Sequence, residues 1–286
     1  MKTGSHLAQS IRKRPIAAFL VIVFAISYPL GMAFNVFVSS TLAPNSLLGV
    51  YLPRLLTVWG PAAAALLVAA CGAGSIRVSH LLRSCRISGQ QAALVILISA
   101  VGVGIAGAAF ALSGVRTSDV AHLAFDQAPI LLLHFVVQSV VIGLGEEIGW
   151  RGWLLPSLAE GRTFGMAAGI TGLLWAIWHA PVFLSGISVS FSFGLLIAAL
   201  AVILAWVWKR SAGSIALVAT AHGAANAPFV FFESLFRERS GGVALVENAF
   251  RHLSVLYACV AVVLVAADRR IWAVTNEQPS ATQASA

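Results

Sequence analysis

Long apolar stretches separated by short polar segments dominate the chain. Eight of them are close to the roughly 20 residues that a helix needs to cross the hydrocarbon core of a bilayer. The pattern predicts an all-α membrane protein, a polytopic bundle of about eight transmembrane helices. The stretches lie near residues 16–38, 49–71, 91–113, 128–148, 164–184, 190–208, 213–232 and 249–267.

Composition supports this class. Of the 286 residues, 59% are hydrophobic and only 10% are charged, whereas soluble domains carry roughly 25% charged residues. A soluble globular protein of this length could not bury so much apolar surface. We expect a cytoplasmic tail at 1–15, a transmembrane helical domain at 16–272 and a disordered polar tail at 273–286.

The net charge of +8 does not indicate nucleic-acid binding, because the basic residues cluster in alternate loops and at both ends of the chain. Such clusters set the orientation of membrane helices and contact anionic lipid. Their alternation predicts both termini in the cytoplasm and a multi-pass protein of a plasma membrane, which we expect to be prokaryotic. The residues are Arg12, Lys13, Arg14, Arg77, Arg83, Arg86, Arg151, Arg162, Lys209, Arg210, Arg269 and Arg270.

An acidic pair, Glu146-Glu147, ends the fourth apolar stretch, with Arg151 four residues later. An acidic side chain at a helix centre in a bilayer costs roughly 2.5–3.5 kcal/mol, so such groups are rare and usually functional. Glu147 and Arg151 share a helix face and can pair. Glu146 is rotated by about 100° and can face the bundle interior. The alternative is that both glutamates only solvate a helix end.

Two histidines follow in later apolar stretches. His179 lies one turn after Trp175 and is followed by Pro181, which bends or ends the helix. His222 and Asn226 are four apart and share a face. Each group has a plain alternative: a buried histidine with satisfied hydrogen bonds, or polar side chains that bond helices together. Together with Glu146 they predict a reactive centre formed by three spans.

These motifs resemble those of the CPBP family, which contains type II CAAX prenyl proteases and proteins of bacteriocin processing and immunity. The resemblance rests on Glu-Glu-x-x-x-Arg at 146–151, aromatic-x-x-x-His at 175–179 and His-x-x-x-Asn at 222–226. It covers about residues 128–232. The family's second motif usually begins with Phe, where this chain has Trp175.

The resemblance implies a membrane-embedded endopeptidase, a hydrolase that cleaves within or beside the bilayer. By that analogy Glu146 and His179 activate a water molecule, while His222 and Asn226 donate hydrogen bonds to the oxyanion. Glu147, Arg151 and Trp175 support them. The implied partners are a peptide or protein substrate, of which a prenylated one is the best-described class in the family, and the lipid bilayer.

Three alternatives stay open at this point. Two histidines and a glutamate could instead bind zinc, although the sequence lacks His-Glu-x-x-His and we expect neither a metal nor another cofactor. Buried Glu, His and Arg also occur in proton-coupled transporters, but no inverted repeat is visible. A non-catalytic immunity or scaffold protein could use the same fold to bind a partner.

Overall fold

The computed structural model describes residues 3–43 and 46–275. Within these ranges the chain is almost entirely helical and has no β-strand, only an isolated β-bridge between Thr163 and Thr275. Helices are expected here because they satisfy their own backbone hydrogen bonds without water. The predicted all-α class is confirmed.

The helices follow one another with short connections. The α-helices up to residue 126 are α1 (Thr3–Lys13), α2 (Pro15–Ala25), α3 (Gly31–Ser39), α4 (Leu47–Tyr51), α5 (Leu55–Ala70), α6 (Val78–Ser84), α7 (Gly89–Leu112) and α8 (Thr117–Asp126). Those beyond it are α9 (Ala128–Val136), α10 (Leu144–Gly149), α11 (Leu155–Ala159), α12 (Phe164–Trp178), α13 (Ile187–Arg210), α14 (Ile215–Phe236), α15 (Gly242–Ala267) and α16 (Arg269–Ala273). Short π- or 3-10-helical segments join some of them: Ile26–Leu30, Leu52–Arg54, Val137–Gly143, Trp150–Leu154 and Ala180–Leu184.

Seven helical stretches of the described residues are long and apolar enough to cross a bilayer, so the chain is a multi-pass membrane protein. The remaining predicted span, at 164–184, differs from the prediction. It consists of α12, which has only 15 residues, followed by the 3-10 segment Ala180–Leu184. Pro181 explains the early end, because proline cannot continue the hydrogen-bond ladder of the helix. The long stretches are Pro15–Ser39, Leu48–Ala70, Gly89–Leu112, Ala128–Ala159, Ile187–Arg210, Ile215–Phe236 and Gly242–Ala267.

The fourth span is longer than predicted. It runs for 32 residues, Ala128–Ala159, rather than ending at residue 148. Arg151 therefore does not lie in a cytoplasmic loop, as its use in the charge pattern assumed; it is 1% exposed inside the bundle. The internal ion pair described below accounts for this position, and Arg162 carries the positive charge of the following loop.

Helix α14 is the central element of the bundle. Nearly all of its residues are buried, and it packs against α7, α9, α10, α13 and α15. Small residues allow this close packing. A Cβ at Gly223 would lie 2.0 Å from Ser139 Oγ, and one at Gly102 would lie 2.1 Å from the Ala224 carbonyl oxygen.

The N-terminal segment, the connections that carry basic residues and the C-terminal segment lie together at one end of the bundle. Arg12 Nε donates to the Cys71 carbonyl oxygen at 2.6 Å, and Ser75 Oγ donates to Glu160 Oε1 at 2.6 Å. The backbone N–H of Phe164 donates to the carbonyl oxygen of Val274 at 2.9 Å. We call this the basic end.

The predicted terminal tails are described only in part. Most of the segment 1–15 is helical, as α1 shows. Of the segment 273–286, residues 276–286 lie outside the described residues. In the second loop, where the basic and apolar pattern favours a short interfacial helix, the structure has α6.

Candidate active site

The two glutamates lie on α10, which is held close to α5. A Cβ at Gly149 would lie 2.5 Å from the backbone carbonyl carbon of Pro61, and one at Gly145 would lie 2.8 Å from the carbonyl oxygen of Val58. Only glycine allows the two backbones to approach this closely. The contact fixes the position of the acidic pair relative to α5.

Helix α10 is flanked on both sides by π-helical turns, Val137–Gly143 and Trp150–Leu154. Such wide turns are rare and frequently occur at functional sites. Here they bracket a segment whose Glu146, Glu147 and Arg151 are all buried. The sequence predicts a regular helix here, because no residue pattern distinguishes a π-turn from an α-turn.

Glu147 is the centre of a buried ionic cluster. Arg151 Nη1 donates to both of its carboxylate oxygens, at 2.9 and 3.0 Å. His222 Nδ1 lies 2.7 Å from Glu147 Oε1. The structure thus shows the Glu147–Arg151 pairing expected from their spacing, and it adds His222, which the sequence analysis placed beside Glu146 instead.

Glu146 has a different environment. Its Oε2 accepts a hydrogen bond of 2.7 Å from Trp175 Nε1, and its side chain is 3% exposed. No described residue donates a hydrogen bond to its Oε1, so this oxygen is available to a water molecule. The two adjacent carboxylates are therefore unequal: Glu147 has two cationic or polar partners, and Glu146 has one neutral donor.

The Trp175 side chain contacts Glu146, Arg151 and both histidines. The guanidinium carbon of Arg151 lies 4.3 Å from the centroid of its ring. The rings of His179 and His222 lie edge-on, with centroids 5.3 and 5.7 Å away. The family resemblance implies a supporting role for Trp175, and its indole N–H, which Phe lacks, donates directly to Glu146.

His179 follows Trp178, the last residue of α12, and contacts the cluster through Trp175. Its Nδ1 lies 2.9 Å from the Trp175 carbonyl oxygen. A carbonyl only accepts, so Nδ1 carries the proton and Nε2 is left for another partner. His179 makes no direct hydrogen bond to Glu146. Its ring is partly exposed, whereas Glu146 is buried.

Asn226 is the predicted site residue that the described contacts do not join to the cluster. It lies on α14 one turn beyond His222 and is partly exposed. Its side chain makes no hydrogen bond to another described residue. It shares a helix face with His222, as the spacing predicts.

Several contributors to the site were not found from the sequence. Tyr28 Oη donates to the carbonyl oxygen of Trp178 at 2.7 Å and so ties the first span to the end of α12. The rings of Trp178 and His179 in turn pack edge-on, with their centroids 4.7 Å apart. The two bonded residues are 150 positions apart, and tyrosine in an apolar stretch gives no signal of such a partner.

The arrangement of the possible ligands bears on whether the site could hold a metal ion. Among the described residues, no group of three or more His, Cys, Asp or Glu side chains is arranged to hold a metal ion. His222 is directed at Glu147 and His179 at a backbone carbonyl. Both contacts use Nδ1, so Nε2 of each ring is left for another partner.

Comparison with known proteins finds a family match for one segment of the chain. Residues 128–228 match the family model described as type II CAAX prenyl endopeptidase Rce1-like, and this segment contains every residue of the cluster. No curated protein matches the chain. The match covers about a third of the 286 residues and supports a relation of this segment to the CPBP family of CAAX proteases.

Proposed function

We propose that the chain hydrolyses a peptide bond with a water molecule activated by Glu146. The observation that supports this assignment is the inequality of the two glutamates. Glu147 is held by Arg151 and His222, whereas one oxygen of Glu146 is open. A general base must reach the water whose proton it removes, and only Glu146 has an oxygen free to do so.

The proposed catalytic step uses Glu146 and His179 together. Glu146 accepts a proton from water while Nε2 of His179 accepts a hydrogen bond from the same water and orients it. The water oxygen bonds to the scissile carbonyl carbon, and a tetrahedral oxyanion forms. As the C–N bond breaks, Glu146 returns its proton to the departing amine.

His222 and the amide of Asn226 stabilise the oxyanion in this proposal. His222 donates through Nδ1 to Glu147, so a second donated bond from Nε2 requires the doubly protonated ring. Glu147 is the counter-ion of that ring. Preorganised donors of this kind are worth roughly 2.7–4 kcal/mol each in other enzymes.

A matched pair of variants tests the role of Glu146. Glu146→Gln keeps the shape and the Trp175 hydrogen bond but removes the base, so we expect cleavage to fall by about 10²–10⁴-fold with the folded protein still in membranes. Glu247→Gln, an exposed glutamate on α15, is expected to leave cleavage unchanged. The measurement is membrane peptidomics of cells that express each variant.

The same comparison separates catalysis from other functions. A scaffold, immunity factor or carrier would keep its cellular effect in the Glu146→Gln variant at equal abundance. Retained proteolysis in that variant would remove Glu146 from the mechanism. The family resemblance implies a prenylated substrate. Cleavage by the purified protein of peptides with and without a prenyl group tests this.

Metal dependence has its own test. We propose a metal-free mechanism, supported by the finding that no three His, Cys, Asp or Glu side chains of the described residues are grouped to hold an ion. Cleavage is then expected to persist after exhaustive dialysis against a chelator, with no increase on adding zinc. Activity that disappears on chelation and returns with zinc would replace this mechanism with a metal-dependent one.

A further inference from the structure

Two apolar cavities open side by side on the surface of α12, α13 and α15, away from the glutamates. The first, of about 530 Å³, extends along α12 and α13 as far as Phe183. The second, of about 610 Å³, lies against α15. Val202, Val265 and Trp272 line both cavities and form their shared wall. Both volumes are typical of ligand sites.

The lining of the cavities contains one charged residue. Arg269, at the start of α16, is the charged residue among those that line the second cavity. It is exposed, as is its neighbour Arg270. Asp268, the adjacent acid, is already engaged: Arg210 Nε donates to it at 2.7 Å and Trp206 Nε1 at 2.9 Å. The positive charge at this opening is therefore not cancelled by Asp268.

Trp272 adds a polar group to the shared wall. Its indole Nε1 is buried without a hydrogen-bond acceptor among the described residues. Tryptophan is enriched at the level of the lipid headgroups, where one part of the ring is apolar and the N–H finds an oxygen. The wall between the cavities thus has an unused donor at the basic end.

We propose that the paired cavities bind one anionic diacyl phospholipid, with one acyl chain in each cavity and the phosphate beside Arg269. Two apolar cavities that meet at a common wall match two chains that meet at one glycerol unit. The cationic residue at the opening complements the phosphate and favours an anionic over a zwitterionic headgroup. The lipid would fill the surface between α12 and α13 and so brace the helix that ends at His179.

The test is a binding measurement that does not depend on proteolysis. The purified full-length protein in neutral detergent is titrated with phosphatidylglycerol or with phosphatidylcholine of identical acyl chains. Native mass spectrometry counts bound lipid, and thermal unfolding reports its effect. We expect one phosphatidylglycerol to be retained in preference to phosphatidylcholine.

Two variants and two matched controls address the headgroup and the chains separately. Arg269→Gln is expected to weaken phosphatidylglycerol binding by about fivefold, and Arg86→Gln, an exposed cation outside the cavities, is not. Gly169→Leu adds a side chain at a residue that lines the first cavity, and nothing lies within 4 Å of its Cβ. It is expected to weaken binding of both lipids, whereas Gly104→Leu, equally open on α7, is not.

Three results would overturn the proposal. If phosphatidylglycerol and phosphatidylcholine were retained equally, the bound lipid would be ordinary boundary lipid without headgroup selectivity. Unchanged binding in both Arg269→Gln and Gly169→Leu would show that lipid binds elsewhere. Protection by soluble glycerol phosphate to the same degree as by phosphatidylglycerol would show that the headgroup binds without the cavities.

Discussion

The charged side chains of the site are tolerated at membrane depth because they are paired with one another. Arg151 donates to both carboxylate oxygens of Glu147, and His222 lies against the same carboxylate. Arg151, Glu147 and His222 are all less than 4% exposed, a depth at which an isolated charge is strongly unfavourable. Removing one member therefore has consequences for the others.

Breaking the Glu147–Arg151 pair tests this balance. Arg151→Gln leaves a buried carboxylate with one partner fewer, and we expect a loss of about 3–5 kcal/mol in the free energy of unfolding. The double variant Glu147→Gln with Arg151→Gln is expected to lose less than the sum of the two single variants. Denaturant unfolding in detergent micelles measures all three.

The chain offers a control with the same spacing. Arg237, the residue that follows α14, forms an i,i+4 pair with Glu233, and their side chains are 49% and 27% exposed. An exposed pair is worth roughly 0–1 kcal/mol, so Arg237→Gln is expected to change stability little. Additive effects in the buried pair, or equal losses in the two arginine variants, would contradict the proposed balance.

At the scale of the elements, hydropathy predicted most of the helices, and spacing predicted the Glu147–Arg151 contact. Both succeed because they depend on local periodicity. The π-turns, the short α12 and the contact of His222 with Glu147 were not predicted. They depend on which helix packs against which, at what height and angle, and a single sequence does not contain that information in any periodic pattern.

The packing of α10 on α5 gives a prediction at this scale. Gly149→Ala adds a methyl group 2.5 Å from the Pro61 backbone, so the helices must separate. We expect a loss of about 1–3 kcal/mol in stability, although alanine has the better helix propensity. Cleavage should fall as well, because Glu146 moves with α10.

Gly104→Ala on α7 is the control for helix propensity alone, since a Cβ there meets nothing within 4 Å. It is expected to be neutral or to stabilise by up to about 1 kcal/mol. Melting temperatures of the two purified variants make the comparison. A stabilised Gly149→Ala protein would show that the contact between α10 and α5 is looser than described.

At the scale of the whole molecule, the basic end sets the proposed orientation. The N-terminal segment, the connections near residues 71–75, 160–164 and 210, and the C-terminal segment meet there. Cationic segments are retained on the cytoplasmic side of membranes. Because Arg151 is buried, it no longer counts among the loop charges that predict the topology. The other basic residues of this end still do.

The orientation predicts the behaviour of fused reporters. Fluorescent proteins that fold only in the cytoplasm are expected to be bright at either terminus, and alkaline phosphatase at either terminus is expected to be inactive. A phosphatase fused in the connection between α14 and α15, at the opposite end, should be active. Active phosphatase at a terminus would reverse the proposed topology.

The two π-helical turns around α10 have a consequence for anyone who would transplant this site into a designed scaffold. Each wide turn holds more residues than a regular one, so the rod 128–159 is out of phase with an ideal helix of equal length. A shift of one residue rotates the following side chains by about 100° around the helix axis. That rotation is enough to direct Glu146 away from Trp175. A graft must therefore carry the irregular turns along with the acidic pair.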